Sequence, residues 1–193
     1  MMGLRERKKL QTRQAIQRAA HRLFTEQGYD ATPMDRIAEA AEVSLSTVFR
    51  YFPTKEDIVL TDEYDALIAD TLRDRPPDEP PMVSLRHATV GLLGRFAGKE
   101  RDDMLARLTF IRQSPALRAR MGESLARTGV ILGEVLAERS GRAPDDFEVR
   151  IVVGAVLGAL QEAVFHCFDH HRIEDMEETI TRALELLSRG LPL

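Results

Sequence analysis

The stretch "SLSTVFRYFPTK", residues 44–55, concentrates side chains able to engage a polyanion. Ser44, Ser46, Thr47 and Tyr51 carry hydroxyls, and Arg50 and Lys55 carry cations. Groups of these kinds donate to phosphate oxygens. Leu45 and Phe49 stand among them as apolar surface suited to a thymine methyl. Ser44 is a favoured helix cap, and Pro53 stops the helix after barely two turns. If Val48 and Phe52, four residues apart, face inward with Val43 and Ile37, then Leu45, Ser46 and Phe49 face outward. Those three lie near the N-terminus of the helix, where a recognition helix meets base edges in the major groove. Thr47, Tyr51 and Lys55 flank them, and the capped end favours a phosphate through the helix dipole. The same residues also fit a plain helical hairpin that leaves a few aromatics exposed.

Other elements must hold that short helix in place. "MDRIAEAA" puts Ile37, Ala40 and Ala41 on one face of a second short helix, and a four-residue joint from Ala41 to Ser44 makes a helix-turn-helix pattern. "TPMD" reads as a capping box, with Thr32 as the cap, Pro33 at the first helical position and Asp35 three residues after the cap. Ahead of it, a helix over about residues 5–27 aligns Ile16, Ala19, Ala20, Leu23 and Phe24 in one stripe, and Gly28 stops it. Thr54 caps a further helix expected to run to about residue 74. "DRPPDEPP", residues 74–81, can be neither helix nor strand and reads as a linker. Helices are expected near 82–98, 101–113, 115–139, 145–170 and 174–189. No segment alternates with period two for long enough to make a strand. The expected fold class is all-α: an N-terminal three-helix helix-turn-helix domain over 1–55 and a C-terminal helical domain over 56–193.

Charge supports the division. The 193 residues carry a net charge of -4, but residues 1–22 hold seven Lys or Arg against Glu6 alone. The first 60 residues are net +2, so the remainder is -6. A basic end on an acidic body suits a polyanion partner, as it also suits a solvated helix start. Cys167 is the one cysteine, which excludes an internal disulfide and a cysteine-based zinc cluster and suits a reducing cytoplasm. The charged N-terminus is not followed by an apolar stretch and does not read as a signal peptide. The run "IVVGAVLGALQ", residues 151–161, is shorter than the about 20 residues of a membrane span, so a buried helix and no membrane are expected. Neither a nucleophile elbow, a phosphate loop nor a dinucleotide fingerprint is present, and His87 and Cys167 carry no sign of catalysis. The chain is read as no enzyme, with no cofactor.

"GYDATPMDRIAEAAEVSLSTVFRYFPTKEDIV", residues 28–59, resembles the DNA-binding domain of the TetR family of bacterial transcriptional regulators. The likeness is carried by Gly28-Tyr29, Thr32, Ile37-Ala38, Ala41, Val43-Ser44, Tyr51-Phe52 and Lys55-Glu56. Glu42 departs from it, since the family usually has glycine there; a glutamate adopts a left-handed conformation at a cost of about 1 kcal/mol or a little more. The resemblance implies a cytoplasmic homodimer that reads a palindromic double-stranded DNA operator. It implies that Leu45, Ser46 and Phe49 read bases, helped by Arg36 and Arg50. Ser44 caps the reading helix, while Thr32, Thr47, Tyr51 and Lys55 hold phosphates.

The same resemblance implies a repressor released by a small, largely apolar ligand bound among the later helices. "RDDMLARLTFIRQSPALRARM" resembles members proposed to sense acyl-CoA-like ligands, with Arg107 or Arg112 near the anionic head. The expected lining is Leu92, Leu93, Phe96, Leu105, Leu108, Ile111, Leu125, Leu132, Val153, Leu157 and Phe165, most of them equally suited to core. Dimerisation is implied through the last two long helices. Gly154 and Gly158, with Ala155 and Ala159, permit close approach, and Ile180, Leu184 and Leu187 form a stripe; tight packing within one subunit fits the glycines too. Glu162, His166 and His170 fall at i, i+4 and i+8, a spacing that offers two imidazoles to one metal or simply forms a polar stripe. Spacing fixes no third ligand, so no metal is assigned. The alternative function is an all-helical small-molecule carrier or enzyme whose N-terminal hairpin is purely structural.

Overall fold

The computed structural model describes residues 3–61, 64–94 and 98–191. Every regular element among them is helical. The chain forms two compact units: residues 1–61 with 99–121, and residues 62–98 with 122–193. Packing groups residues 99–121 with the N-terminal helices.

In the first unit, α1 (Leu4–Gln27) buries Ile16, Ala19, Ala20, Leu23 and Phe24, the stripe expected from their spacing. Gly28 ends it at φ 89°, and its N–H donates to the Phe24 carbonyl at 2.9 Å. α2 (Met34–Ala40) and α3 (Leu45–Tyr51) follow, and the two pack together. The helix that starts at Thr54 is shorter than expected: α4 runs only Lys55–Leu60. A capping box of Thr54 and Asp57 opens it. It stops because the Gln17 amide donates to the carbonyls of Ile58 (3.3 Å) and Thr61 (2.6 Å), and Thr61 turns extended. α7 (Lys99–Gln113) packs on α1 and α4, and α8 (Pro115–Ser140) begins in this unit and continues into the second.

Thr32 does not cap α2. Its hydroxyl donates to the Gly28 carbonyl at 2.8 Å and the Leu23 carbonyl at 3.4 Å, closing the end of α1, and the side chain is fully buried. Pro33 holds the cap position without a side-chain bond. The turn between α2 and α3 is a Schellman motif. Val43 N–H donates to the Ala38 carbonyl (3.0 Å) and Glu42 N–H to the Glu39 carbonyl (3.1 Å). Glu42 occupies the left-handed position at φ 55°, as the sequence led us to expect.

The second unit comprises α5 (Tyr64–Arg73), α6 (Pro81–Leu93), the rest of α8, α9 (Phe147–Asp169) and α10 (Met176–Ser188), the last preceded by a 3-10 turn over Ile173–Asp175. α9 and α10 pack along each other, and α6 packs on α5 and α10. The proline-rich segment is irregular, as expected, yet it is not a free tether. The Arg139 guanidinium donates to the carbonyls of Leu72 (3.1 Å), Arg75 (2.9 Å) and Pro76 (2.8 Å) and to Ser84 Oγ (3.0 Å). Hydrogen bonds from Arg75 and Ser84 hold the Glu79 carboxyl down at about 2, below the usual carboxylate range.

α9 departs most from expectation. It is long and apolar enough to cross a membrane, and only 28% of its most apolar window is buried within the chain. Phe147 is 75% exposed and Ile151 56%. The expected buried helix is instead half unpartnered in one chain.

Glycine at position 42 would remove the left-handed strain, partly offset by its greater freedom in the unfolded chain. Glu42→Gly is expected to stabilise the protein by about 0.5–1 kcal/mol and raise Tm by about 2 °C. Thermal unfolding followed by circular dichroism checks this; an unchanged or lower Tm would contradict the assignment of strain.

Candidate nucleic-acid interface

The candidate reading helix α3 has seven residues and is held from one side only. Val48 and Phe52 are fully buried, as is Ile37 on α2. The opposite face leaves Phe49 46% exposed and Leu45 40% exposed. Ser44 accepts from Thr47 N–H at 3.1 Å, and its Oγ lies 2.9 Å from Ser46 Oγ and 2.8 Å from Thr47 Oγ1. The first turn is thus a cluster of hydroxyls on the solvent side, next to two exposed apolar side chains. This combination suits base edges and methyl groups.

The other expected residues divide into two groups. Arg50 is exposed, with its guanidinium 5.5 Å from the Tyr51 ring centroid and a 3.5 Å contact to Thr47 Oγ1. Arg36 is exposed and pairs with Glu39 at 2.7 Å. A surface pair of this kind is worth about 0–1 kcal/mol, so it leaves Arg36 available to a partner. Thr32 and Lys55 are committed elsewhere. The buried Thr32 hydroxyl is not presented to a partner. Lys55 Nζ donates to the carbonyls of Tyr29 (2.8 Å) and Thr32 (3.3 Å) and sits 4.3 Å from the Tyr29 ring centroid. Its charge closes the turn after α1, where the Tyr29 carbonyl also accepts from the Thr32 N–H at 3.3 Å.

Sequence reasoning missed the scaffold behind the reading helix. Tyr29 Oη donates to Glu56 Oε1 at 3.0 Å. Arg120, at the start of α8, donates to Thr54 Oγ1 at 2.5 Å and lies 3.6 Å from Glu56 and 3.5 Å from Asp57. Burial and the Glu56 contact push the Tyr29 hydroxyl well above its ordinary range. Glu56 stays below the usual range; partial burial opposes this, and its backbone N–H, Tyr29, Thr54 and the Arg120 charge outweigh it. Arg13 places its guanidinium 5.2 Å from the Phe52 ring centroid. No local spacing signals these pairs, which join positions up to 66 residues apart.

The expected ligand residues are divided between the two units. Leu105, Leu108, Ile111 and Arg112 belong to the first, and Leu92, Leu93, Leu125, Leu132, Val153, Leu157 and Phe165 to the second. Phe96 lies outside the described residues. Leu92, Ile111, Leu132 and Val153 are buried, as core residues are. A cleft of about 520 Å³ in the first unit is lined by Ala15, Arg18, His21, Arg22, Glu42 and Asp103, among others. A groove of about 140 Å³ in the second is lined by Pro81, Leu136 and Val149, among others. Neither is bordered by the residues expected for the ligand.

His21 lies on α1 in the first unit, its ring 6.4 Å from that of Phe110. Its Nε2 is buried with no hydrogen-bond partner among the described residues. Burial, then the Arg107 charge, lowers its pKa to about 4, while Asp103 works the other way. Burial also draws Arg107 down to about 10.

The family model described as bacterial regulatory proteins, tetR family, matches residues 16–61, and that described as the MftR C-terminal domain matches residues 79–192. The HTH-type transcriptional regulator TcmR of Streptomyces glaucescens is 35% identical over 173 residues, covering 84% of this chain and 75% of that protein. The fatty acid metabolism regulator protein of Bacillus subtilis is 23% identical over 181 residues, covering 90% of this chain and 92% of that one. The solved structure of Thermus thermophilus FadR, a TetR-family transcriptional repressor in complex with lauroyl-CoA, is similar at a TM-score of 0.60 and 25% identity, covering 94% of this chain and 95% of that one.

The depressed His21 pKa fixes a pH dependence. The folded value lies below the ordinary 6.5, so the unfolded chain binds the proton more tightly. The stability that neutral His21 contributes is complete above pH 6.5 and is lost as pH falls toward 4, by up to about 3 kcal/mol. His21→Phe is expected to flatten this acid limb in urea unfolding measured from pH 7 to 4. A wild-type limb unaltered in the variant would show that His21 is not its source.

Proposed function

Because the chain belongs to the TetR family of bacterial regulatory proteins, and so is a DNA-binding transcriptional regulator, we propose that it is a homodimeric repressor that reads a palindromic operator through α3 and leaves it on binding a small acyl-type ligand. The observation that carries the reading is the exposure of Leu45 and Phe49 beside a hydroxyl-lined helix start, on a helix whose other face is fully buried. Leu45, Ser46 and Phe49 contact bases, with apolar contact to thymine methyls dominant. Arg36 and Arg50 help them read bases, Thr47 and Tyr51 take phosphates around them, and the basic start of α1 adds attraction to the backbone. Acting on the chromosome, the protein works in the cytoplasm.

The dimer reading is supported by α9. A Cβ added at Gly154 or Gly158 meets nothing within 4 Å, so nothing inside one chain requires glycine there. Those positions, with Phe147, Ile151 and Ala155, make an exposed face of small and apolar residues that a second copy covers at close range. A lipid partner is disfavoured because Arg150 and Glu162 lie within the helix, and ionised side chains at a bilayer centre cost about 2.5–3.5 kcal/mol each. Ile180 and Leu184 of α10 are already buried within the chain, so the stripe once expected at the interface contributes Leu187 at most. Two reading helices docked on one duplex stand about 34–36 Å apart, so a small change in their separation weakens binding. The acyl-type ligand rests on the Thermus thermophilus relative and its lauroyl-CoA.

Selection of duplexes from a random pool tests the reading. A palindrome is expected, and its absence would overturn the operator assignment. On that palindrome, Phe49→Ala is expected to weaken binding about tenfold or more, from the loss of a buried aromatic contact. Lauroyl-CoA is expected to release the operator where free coenzyme A does not; no release would remove the acyl ligand and leave the operator reading standing. Gly158→Leu is expected to shift the sedimenting species from dimer to monomer, and an unaffected dimer would place the interface elsewhere.

A further inference from the structure

We propose that His166 and His170 form a two-imidazole site for a divalent transition-metal ion of the zinc, cobalt or nickel type on the surface of α9, with water completing the coordination. The site is independent of the operator reading.

The two residues are one helical turn apart and both exposed. Their rings already lie together, with centroids 4.1 Å apart and planes tilted by 31°. Metal–imidazole bonds of about 2.0–2.1 Å set two ligand nitrogens about 3.3 Å apart around a tetrahedral ion, so modest side-chain rotation from this arrangement suffices. One tautomer is also set. His170 Nδ1 lies 2.9 Å from the His166 carbonyl oxygen, an acceptor, so Nδ1 carries the proton and donates. The lone pair is then on Nε2, which points away from the backbone bond. A hydrogen bond from the other ring nitrogen to a carbonyl is the arrangement that orients metal-ligating imidazoles.

The surroundings favour a cation. His166 lies in the last turn of a 23-residue helix and His170 is its C-cap, so the pair stands at the negative end of the helix dipole. Glu162, one turn before His166, and Asp169 are exposed on the same end of the helix. Among the described residues no three His, Cys, Asp or Glu side chains converge, so one chain supplies two ligands and leaves open positions. Imidazole donors without a carboxylate cage select borderline transition metals over magnesium or calcium. Cys167, next in the chain, is buried and stands apart from the pair.

Titration calorimetry of the untagged chain with zinc chloride tests the site, with cobalt chloride followed by visible absorption. One ion per chain is expected, with about tenfold or greater loss of affinity in His166→Ala and in His170→Ala and no measurable binding in the double variant. Cys167→Ser is expected to bind as the wild type does. Both histidines are exposed, so the metal-free variants are expected to keep the wild-type circular dichroism and Tm. Zinc is expected to raise Tm in the wild type and not in the double variant. Absence of zinc binding, binding retained in the double variant, dependence on Cys167, or one ion per two chains would each overturn the self-contained site.

Discussion

A helix of seven residues cannot sustain itself in water, because nucleation costs more than one or two turns return. α3 exists only because Val48 and Phe52 are fully buried beneath it. That one-sided attachment is the condition for everything else at the site. The inward face is used up by two side chains, so the outward face is free to carry Leu45, Ser46 and Phe49 with no structural duty. The Schellman turn at Glu42 sets the angle at which α2 hands the chain to α3, and it does so with an unfavoured residue in the left-handed position.

The underside of the reading head is stiffened by charge and hydrogen bonding as well as apolar packing. Lys55 gathers the carbonyls of the turn after α1, and Tyr29 and Arg120 meet on the first turn of α4 through Glu56, Thr54 and Asp57. Each partner is only partly exposed, so these contacts are screened less than surface pairs are. They tie α1, α4 and the beginning of α8 into one body around α7. The second unit follows a different logic. There Arg139 gathers the carbonyls of a proline-rich loop that has no helical partners of its own, while α9 keeps a broad apolar face unsatisfied. That exposed face includes Gly154 and Gly158, where an added Cβ would meet nothing within 4 Å in the chain, and it is the face the proposed dimer would cover.

Much of this was legible in the residues. The α1 stripe, the Gly28 stop, the capped start of α3 and the Thr54 cap follow from local rules of period and capping; the left-handed Glu42 follows from the family resemblance, which places glycine there. Two polar side chains and one helix end depart from that local reading. Thr32 fits a cap by its neighbours, but its hydroxyl goes to the Gly28 carbonyl four residues back. Lys55, read as a phosphate ligand, donates to the carbonyls of Tyr29 and Thr32, 26 and 23 residues away and beyond any sequence window. α4 was drawn too long for the same reason, since Gln17 reaches its end from 41 to 44 residues away.

By itself the sequence determined most of the helices, where most of them start, and which face of α3 carries bare apolar groups beside hydroxyls. Those properties depend on neighbours one to four residues apart, and the chain's covalent order sets them. Only the tertiary structure decided which polar side chains remained available for a partner. A hydroxyl or an ammonium goes to whichever unsatisfied carbonyl the fold brings within about 3 Å, and that distance is a property of packed helices and not of spacing along the chain.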